Sequence, residues 1–297
     1  PNAPMLRNEY AIKHNALDTV SLISSISPHM VGHFNGYSIQ DDCQFEQSQF
    51  TFGERECLKG TIPHFQLIRR DDELSVNLHI ETKPVISHFT KFKFGLFDHW
   101  SLMCHCTGEI VYKGQSYSIN HLGSFEYARA MNFPYLPLCF FTYQIINLNN
   151  QRQLLLAQIR NNFNQIMQSR LYLRDLSNNQ SEMFDEQVYF KVHRVYPKVI
   201  TPNQQEMYLP REFEWNFKNS KRSIMVNAQS RGDYKFGLAA GYVGSFKYQV
   251  EIDGIQESGE SGYCEYIDCR PLKWQEKDNQ EQILDKIANS VPCTLKK

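Results

Sequence analysis

The sequence predicts an all-β protein of two domains, on three observations: its length, the period of its apolar residues, and a motif that occurs twice. A chain of 297 residues is long for one hydrophobic core, and ordinary domain sizes favour two. Most segments have β-type composition with partial alternation, set between Gly, Pro and Asp-Asp punctuation. The stretches GSFEYAR (residues 123–129) and GYCEYID (262–268) repeat a glycine, two residues and Glu-Tyr.

The elements follow in order. From Asn8 to Ile26, residues Ala11, Ile12, Leu17, Leu22, Ile23 and Ile26 fall at helical spacing until Pro28 stops them, which predicts a lead-in helix within residues 1–30. Residues 31–131 carry QFEQSQFTFG, LSVNLHIET, IVYKGQSYSI and HLGSFEYAR, a meander of strands and the first domain. NFPYLPLCFFTY (132–143) holds two prolines among bulky apolar residues and reads as a packed linker. The second domain, 144–272, is again mostly strand-like. Within it Leu154–Leu171 fits a helix as well as strands, and strands are favoured because Arg174–Asn179 supplies a turn that closes a hairpin with the next segment. DNQEQILDKIANS predicts a C-terminal helix within 273–297, with Asp278 as cap and Ile283, Leu284 and Ile287 on one face.

Composition narrows the partners. With 31 basic and 32 acidic side chains, nothing calls for nucleic acid. The most apolar stretch, Tyr135–Ile146, is too short and proline-broken to span a bilayer, so no integral membrane segment is expected. The eight cysteines form no Cys-x-x-Cys pair and read as reduced thiols. A cytoplasmic protein is expected, with an exported origin left open because residue 1 is a proline. The sequence specifies no oligomeric state.

Glu126 lies twelve positions after Gly114, and Glu265 lies eleven after Gly254, so the two copies align with a one-residue gap. This points to duplication of one supersecondary unit. The segments Ile119–Tyr127 (INHLGSFEY) and Gly259–Tyr266 (GESGYCEY) resemble the double-lipocalin, AttH-like superfamily that includes carotenoid 1,2-hydratases, and this chain looks like a bacterial branch of it. In that family the first stretch tends to read V-x-G-x-x-W-x-D-H. Here His121 stands for the glycine, Ser124 for the tryptophan, and Glu126-Tyr127 for Asp-His. The resemblance spans roughly residues 30–270 and implies two antiparallel lipocalin-like (calycin) barrels packed side by side, with an apolar cavity.

The enzymatic implication makes Glu126 the catalytic acid. A carboxyl group desolvated in an apolar cavity stays protonated near neutrality and can protonate an alkene or enol, with the resulting cation resting on Trp100, Phe125 or Tyr127. Strand parity divides these residues: Glu126 shares a face with Ser124, Leu122 and Asn120, and Tyr127 shares the other with Phe125, Gly123 and His121. The competing structural reading pairs Glu126 with Arg129, and Glu265 with Arg270, as ion pairs at barrel rims. In FDHWSLMCHCTGE (97–109), Asp98, Trp100, Leu102, Cys104 and Cys106 share one face and His99, Met103 and His105 the other, which argues against a metal site. Asp98 or His99 suits a polar group at a cavity mouth. The expected ligand-binding set is Asp98, His99, Trp100, His121, Phe125, Tyr127 and Tyr263. No cofactor is expected, since Gly237, Gly241 and Gly244 lack the dinucleotide spacing.

The leading functional expectation is binding of a hydrophobic small molecule, a lipid or polyene-like compound, in a β-barrel cavity. The alternative is a cofactor-free hydratase, isomerase or cyclase using a protonated carboxyl group. A third possibility is a non-catalytic structural or interaction protein with barrels filled by their own side chains.

Overall fold

The computed structural model describes residues 3–4, 19–24, 33–91, 97–130, 135–136, 138–202, 204–238 and 241–270. Its strands are, in chain order, Ala3–Pro4 (β1), Thr19–Ser24 (β2), His33–Ser38 (β3), Cys43–Glu46 (β4), Gln49–Phe52 (β5), Glu56–Thr61 (β6), His64–Arg70 (β7), Leu74–Lys91 (β8), Phe97–Tyr112 (β9) and Gln115–Ala130 (β10). They continue as Tyr135–Leu136 (β11), Leu138–Asn147 (β12), Arg152–Asn161 (β13), Ile166–Asp175 (β14), Gln180–Phe184 (β15), Val188–Val195 (β16), Val199–Ile200 (β17) and Glu206–Met207 (β18). The last are Pro210–Lys218 (β19), Ser223–Ser230 (β20), Lys235–Leu238 (β21), Gly241–Ile252 (β22) and Ile255–Asp268 (β23). Among the described residues the one helix is the single turn Ile39–Asp42 (α1).

Strands β4 to β10 form a seven-stranded antiparallel meander in which each strand pairs with its sequence neighbour. The second sheet has ten strands, ordered β15-β14-β13-β12-β23-β22-β20-β19-β16, with β21 beside β22. Its closing strand β23 returns to pair with its opening strand β12. Ser169 Oγ of β14 donates to the Val188 carbonyl of β16 (2.7 Å), which draws the two ends of the sheet toward each other.

Two elements depart from the sequence reading. Thr19–Ser24, inside the expected lead-in helix, is a strand paired with His33–Ser38. The segment TVSLIS offers β-branched residues and alternation as well as helical spacing, and a partner strand decides in favour of the sheet. The rest of that helix and the expected C-terminal helix lie outside the described residues. The expected linker 132–143 runs into β12, a central strand from Leu138 onward. It is apolar on both faces because both are covered, which makes it look unlike an alternating strand.

The inner face of the second sheet is filled by its own side chains, with Phe140, Leu156, Phe213, Trp215, Val226 and Phe246 in one core. Trp215 Nε1 donates to Gln144 Oε1 (3.0 Å), so the buried amide is satisfied. The first sheet has a smaller inner cluster of Leu74, Val76 and Tyr112. The outer faces of the two sheets pack together through Phe89, Tyr143, Leu155, Ala157 and Tyr172. A bulge in β8 at His88/Thr90 leaves Phe89 out of the ladder, and the carbonyls of His88 and Phe89 instead accept from Tyr172 and Arg170 of the second sheet.

The duplicated unit is visible in the turns. Lys113-Gly114 (φ 48 and 78) and Asp253-Gly254 (φ 52 and 84) are both two-residue hairpin loops with left-handed backbone at each position. The ladder of β9 and β10 then runs without a break, whereas that of β22 and β23 shifts register between Phe246 and Tyr248. This bulge reverses the alternation once and so turns Glu265 to the outer face, the face that Glu126 occupies in the first copy.

Gly262 lies opposite Phe246, and a Cβ there would sit 2.3 to 2.6 Å from the ring of that fully buried residue. Gly262→Ala should therefore destabilise the fold by about 1–3 kcal/mol, read as a shift in the urea midpoint. An unchanged midpoint would contradict this packing.

Candidate active site

The outer faces of the two sheets bring a line of polar side chains together. From the first sheet, His99 and Ser101 of β9 and Ser124 and Glu126 of β10 share one face by alternation. From the second come Tyr143 of β12, Gln153 of β13, Arg174 of β14, and Tyr263 and Glu265 of β23. Tyr143 and Glu265 stand directly opposite each other in the β12–β23 ladder.

Glu126 gathers three donors. His99 Nε2 lies 2.7 Å from Oε2, the Tyr143 hydroxyl donates to Oε1 at 2.7 Å, and the Ser124 hydroxyl also donates to Oε1. Phe89 stacks on His99 with ring centroids 5.1 Å apart, which fixes the imidazole. Behind Glu126, Arg174 is fully buried and hydrogen-bonds neutral groups: Ser101 Oγ (2.8 Å), Ser124 Oγ (3.1 Å) and the Gln153 side-chain carbonyl. Ser101 in turn bonds Ser124 (2.6 Å), and Gln153 donates to Asn147 Oδ1 (2.6 Å). Ser124 thus carries the influence of the guanidinium to the Glu126 carboxylate. Across the seam, the Tyr263 hydroxyl donates to Glu265 Oε1 at 2.8 Å.

The two carboxyl groups are pushed in opposite directions. Burial raises the Glu126 pKa, but the hydrogen bond and charge of His99, with the bonds from Ser124 and Tyr143, outweigh it and hold the group below its ordinary value. Glu265 is pushed up to about 8, chiefly by burial and further by the Glu126 charge, against the opposing bond from Tyr263. Burial also lowers Arg174 to about 10, which leaves it cationic at neutral pH. Tyr143 is raised well above its usual value, first by burial and then by Glu126. The expectation of a protonated Glu126 is therefore corrected: Glu126 is the ionised member of the pair, and Glu265 is the one that keeps a proton.

The rim ion pairs are also corrected. Glu126 pairs with His99, and Arg270 forms a two-point contact with Asp268 (2.7 and 2.8 Å), not with Glu265. Of the expected ligand set, His99 and Tyr263 join Glu126 in the seam. Trp100, Phe125 and Tyr127 lie on the opposite, inner face of the first sheet, where Trp100 stacks on Tyr127 (5.4 Å) and Phe125 on Phe65 (4.7 Å). Asp98 alternates onto that inner face, and exposed His121 edges a cleft of about 400 Å³ that is also lined by Lys83, His105, Leu122 and Asn147. Sequence reasoning missed Tyr143, Arg174, Ser101 and Gln153. Tyr143 lay in the supposed linker and Arg174 in a supposed turn, and the signal available was the apolar run on both faces of β12. Among the described residues no group of three or more His, Cys, Asp or Glu side chains is arranged to hold a metal ion. No described helix is long and apolar enough to cross a membrane.

Curved antiparallel sheets with this organisation define a lipocalin-like β protein with the AttH-like fold. Two solved structures share it: an AttH protein of Nitrosomonas europaea, at 13% identity and TM-score 0.58 over 80% of this chain and 76% of that one, and kievitone hydratase of Nectria haematococca, at 12% identity and TM-score 0.54 over 84% of each chain. No curated protein matches the sequence. The chain belongs to the Family of unknown function (DUF6670), whose model matches residues 1–281.

The opposed carboxyl groups give opposite pH dependences. Glu265, raised from 4.5 to about 8, holds a proton in the folded state that the unfolded chain releases between those values, so its stabilisation is full below about 4.5 and lost as pH rises through about 8. Glu265→Gln should therefore gain thermal stability relative to wild type as pH rises across that window. Glu126, held below its ordinary value, stabilises above that value and loses the contribution as pH falls. Glu126→Gln should be destabilised at neutral pH and approach wild type in acid. Parallel melting curves for both variants would contradict the assignment.

Proposed function

We propose that the seam is the active site of a cofactor-free enzyme that adds water to an unsaturated apolar small molecule, removes it, or isomerises the molecule by proton transfer. The observation that carries this reading is the meeting of Glu126 and Glu265 at one tyrosine, in surroundings that push the two carboxyl groups in opposite directions from their ordinary pKa. Environments that drive two titratable groups apart mark an acid and a base. The Glu126 side chain is 28% accessible, so a substrate has a way in.

In the hydration direction, Glu265 gives its proton to one carbon of the double bond and water attacks the other. Glu126, oriented by His99, takes the proton that this water loses. Net addition of water is complete when that proton returns to Glu265 by way of the Tyr143 hydroxyl. Arg174, acting through Ser124, steadies negative charge on Glu126 and is a positioning residue. Kievitone hydratase, with the same fold, is a hydratase by name, and hydration of an unsaturated, polyene-like molecule suits a seam that joins apolar walls to two carboxyl groups. The division into units of residues 31–131 and 144–272, one contributing Glu126 and the other Glu265, belongs to this reading.

The second reading, binding without chemistry, is favoured by the inner face of the first sheet. There Phe65, Trp100 and Phe125 are only half-buried and Tyr127 is exposed, a surface suited to a flat apolar guest.

The test is turnover of polyenes and other unsaturated apolar compounds in heavy-oxygen water, with label incorporation read by mass spectrometry. Glu265→Gln should lower turnover by about 10²–10⁴-fold with the fold intact. Activity of the wild type should fall as pH rises through about 8, where Glu265 loses its proton. Unlabelled product, or full activity in both Glu265→Gln and Glu126→Gln, would contradict the proposal. Recovery of an unaltered apolar molecule with the purified protein would favour the binding reading.

A further inference from the structure

On the inner face of the first sheet, two cysteines two positions apart on β9 turn their sulfurs toward each other. Cys104 Sγ and Cys106 Sγ are 3.7 Å apart, and both thiols are free. Cys104 is buried and Cys106 half-buried, so the pair is reachable from one side. The residue opposite Cys104 on β10 is Gly123. A Cβ at that position would lie 2.7 Å from the Cys106 sulfur and 3.0 Å from that of Cys104, so the missing side chain is what lets the two sulfurs converge. In the duplicated unit the corresponding Gly262 makes room for the ring of Phe246, so the dithiol belongs to the first copy alone.

The spacing favours a bridging atom over a disulfide. Residues two apart on a strand are separated by about 6.4–6.8 Å with parallel side chains, whereas a disulfide needs its Cβ atoms about 3.8 Å apart. Two sulfurs 3.7 Å apart need separate by less than about 1 Å to hold one ion between them at a metal–sulfur distance of about 2.3 Å. Zinc would want four ligands, and no third His, Cys, Asp or Glu among the described residues completes such a set. A soft monovalent d¹⁰ ion is satisfied by two thiolates.

We propose that Cys104 and Cys106 form a two-thiolate site for a soft monovalent cation of the Cu(I) class. Binding exchanges two thiol protons for the ion, forming two metal–sulfur bonds with no change of oxidation state. Cys106, half-buried where Cys104 is buried, is the sulfur that meets the ion first.

The experiment is anaerobic competition for Cu(I) between the full chain and bicinchoninate. The wild type should withdraw one equivalent, and C104S and C106S should each bind at least about 100-fold more weakly. Gly123→Ala keeps both thiols but sets a methyl group against both sulfurs, in the space where the ion would sit, and it should show the same loss, with far-UV circular dichroism confirming the fold. If Cys104→Ser fails to fold, half-buried Cys106→Ser and Gly123→Ala carry the test. The proposal is overturned if the wild type withdraws no copper, if the double variant C104S/C106S takes up as much as wild type, or if Gly123→Ala binds undiminished.

Discussion

Two carboxyl groups gathered about one tyrosine cannot both carry charge at low cost. Tyr143 donates its hydroxyl to Glu126 and stands opposite Glu265 in the ladder, so the ionisation of one glutamate is felt by the other. His99 and the Ser124 hydroxyl decide which of them is ionised, because they bond Glu126. Glu265, which accepts from the Tyr263 hydroxyl, is left to keep its proton. The polar character of the seam follows from that asymmetry, and so does the assignment of acid and base.

The asymmetry arises from a duplication that is not quite exact. Both copies begin at a left-handed hairpin turn and end at Glu-Tyr, and in each the glutamate reaches the outer face. Only the second copy needs a bulge to do so. Packing the outer faces together then brings the two copies of the motif against one another, which is why a motif found twice serves one site. Arg174 completes the arrangement at an energetic cost. A guanidinium buried without a carboxylate in direct contact is expensive, and among the described residues its Nε has no hydrogen-bond partner. The hydroxyls of Ser101 and Ser124 carry its field to Glu126, so removing either should disturb the carboxylate more than the packing.

Much of this was legible in the sequence, for identifiable reasons. Strand composition and turn punctuation carried the fold class, and two-residue periodicity separated Glu126 from Tyr127 and His99 from Trp100 correctly. What periodicity could not tell was which face meets the other sheet. That depended on β12, whose apolar residues on both sides hid it as a linker, and with it Tyr143. The helical reading of residues 8–26 met the same limit, since the pairing of Thr19–Ser24 with His33–Ser38 is a tertiary fact. Ionisation was the least legible property. Desolvation alone predicts a protonated Glu126, and the reversal rests on His99 arriving from the neighbouring strand, whereas Glu265, read as a rim ion pair, lost Arg270 to Asp268.

The most direct measurement of this account is a carboxyl-carbon NMR titration of the full chain with its glutamates labelled and Glu126 and Glu265 assigned by substitution. Glu265 should titrate near 8 and Glu126 below 4.5, and replacing Glu126 by Gln should bring the Glu265 midpoint down. Two midpoints that coincide near the ordinary carboxylate value would mean that the seam holds no poised proton, and the account would fail.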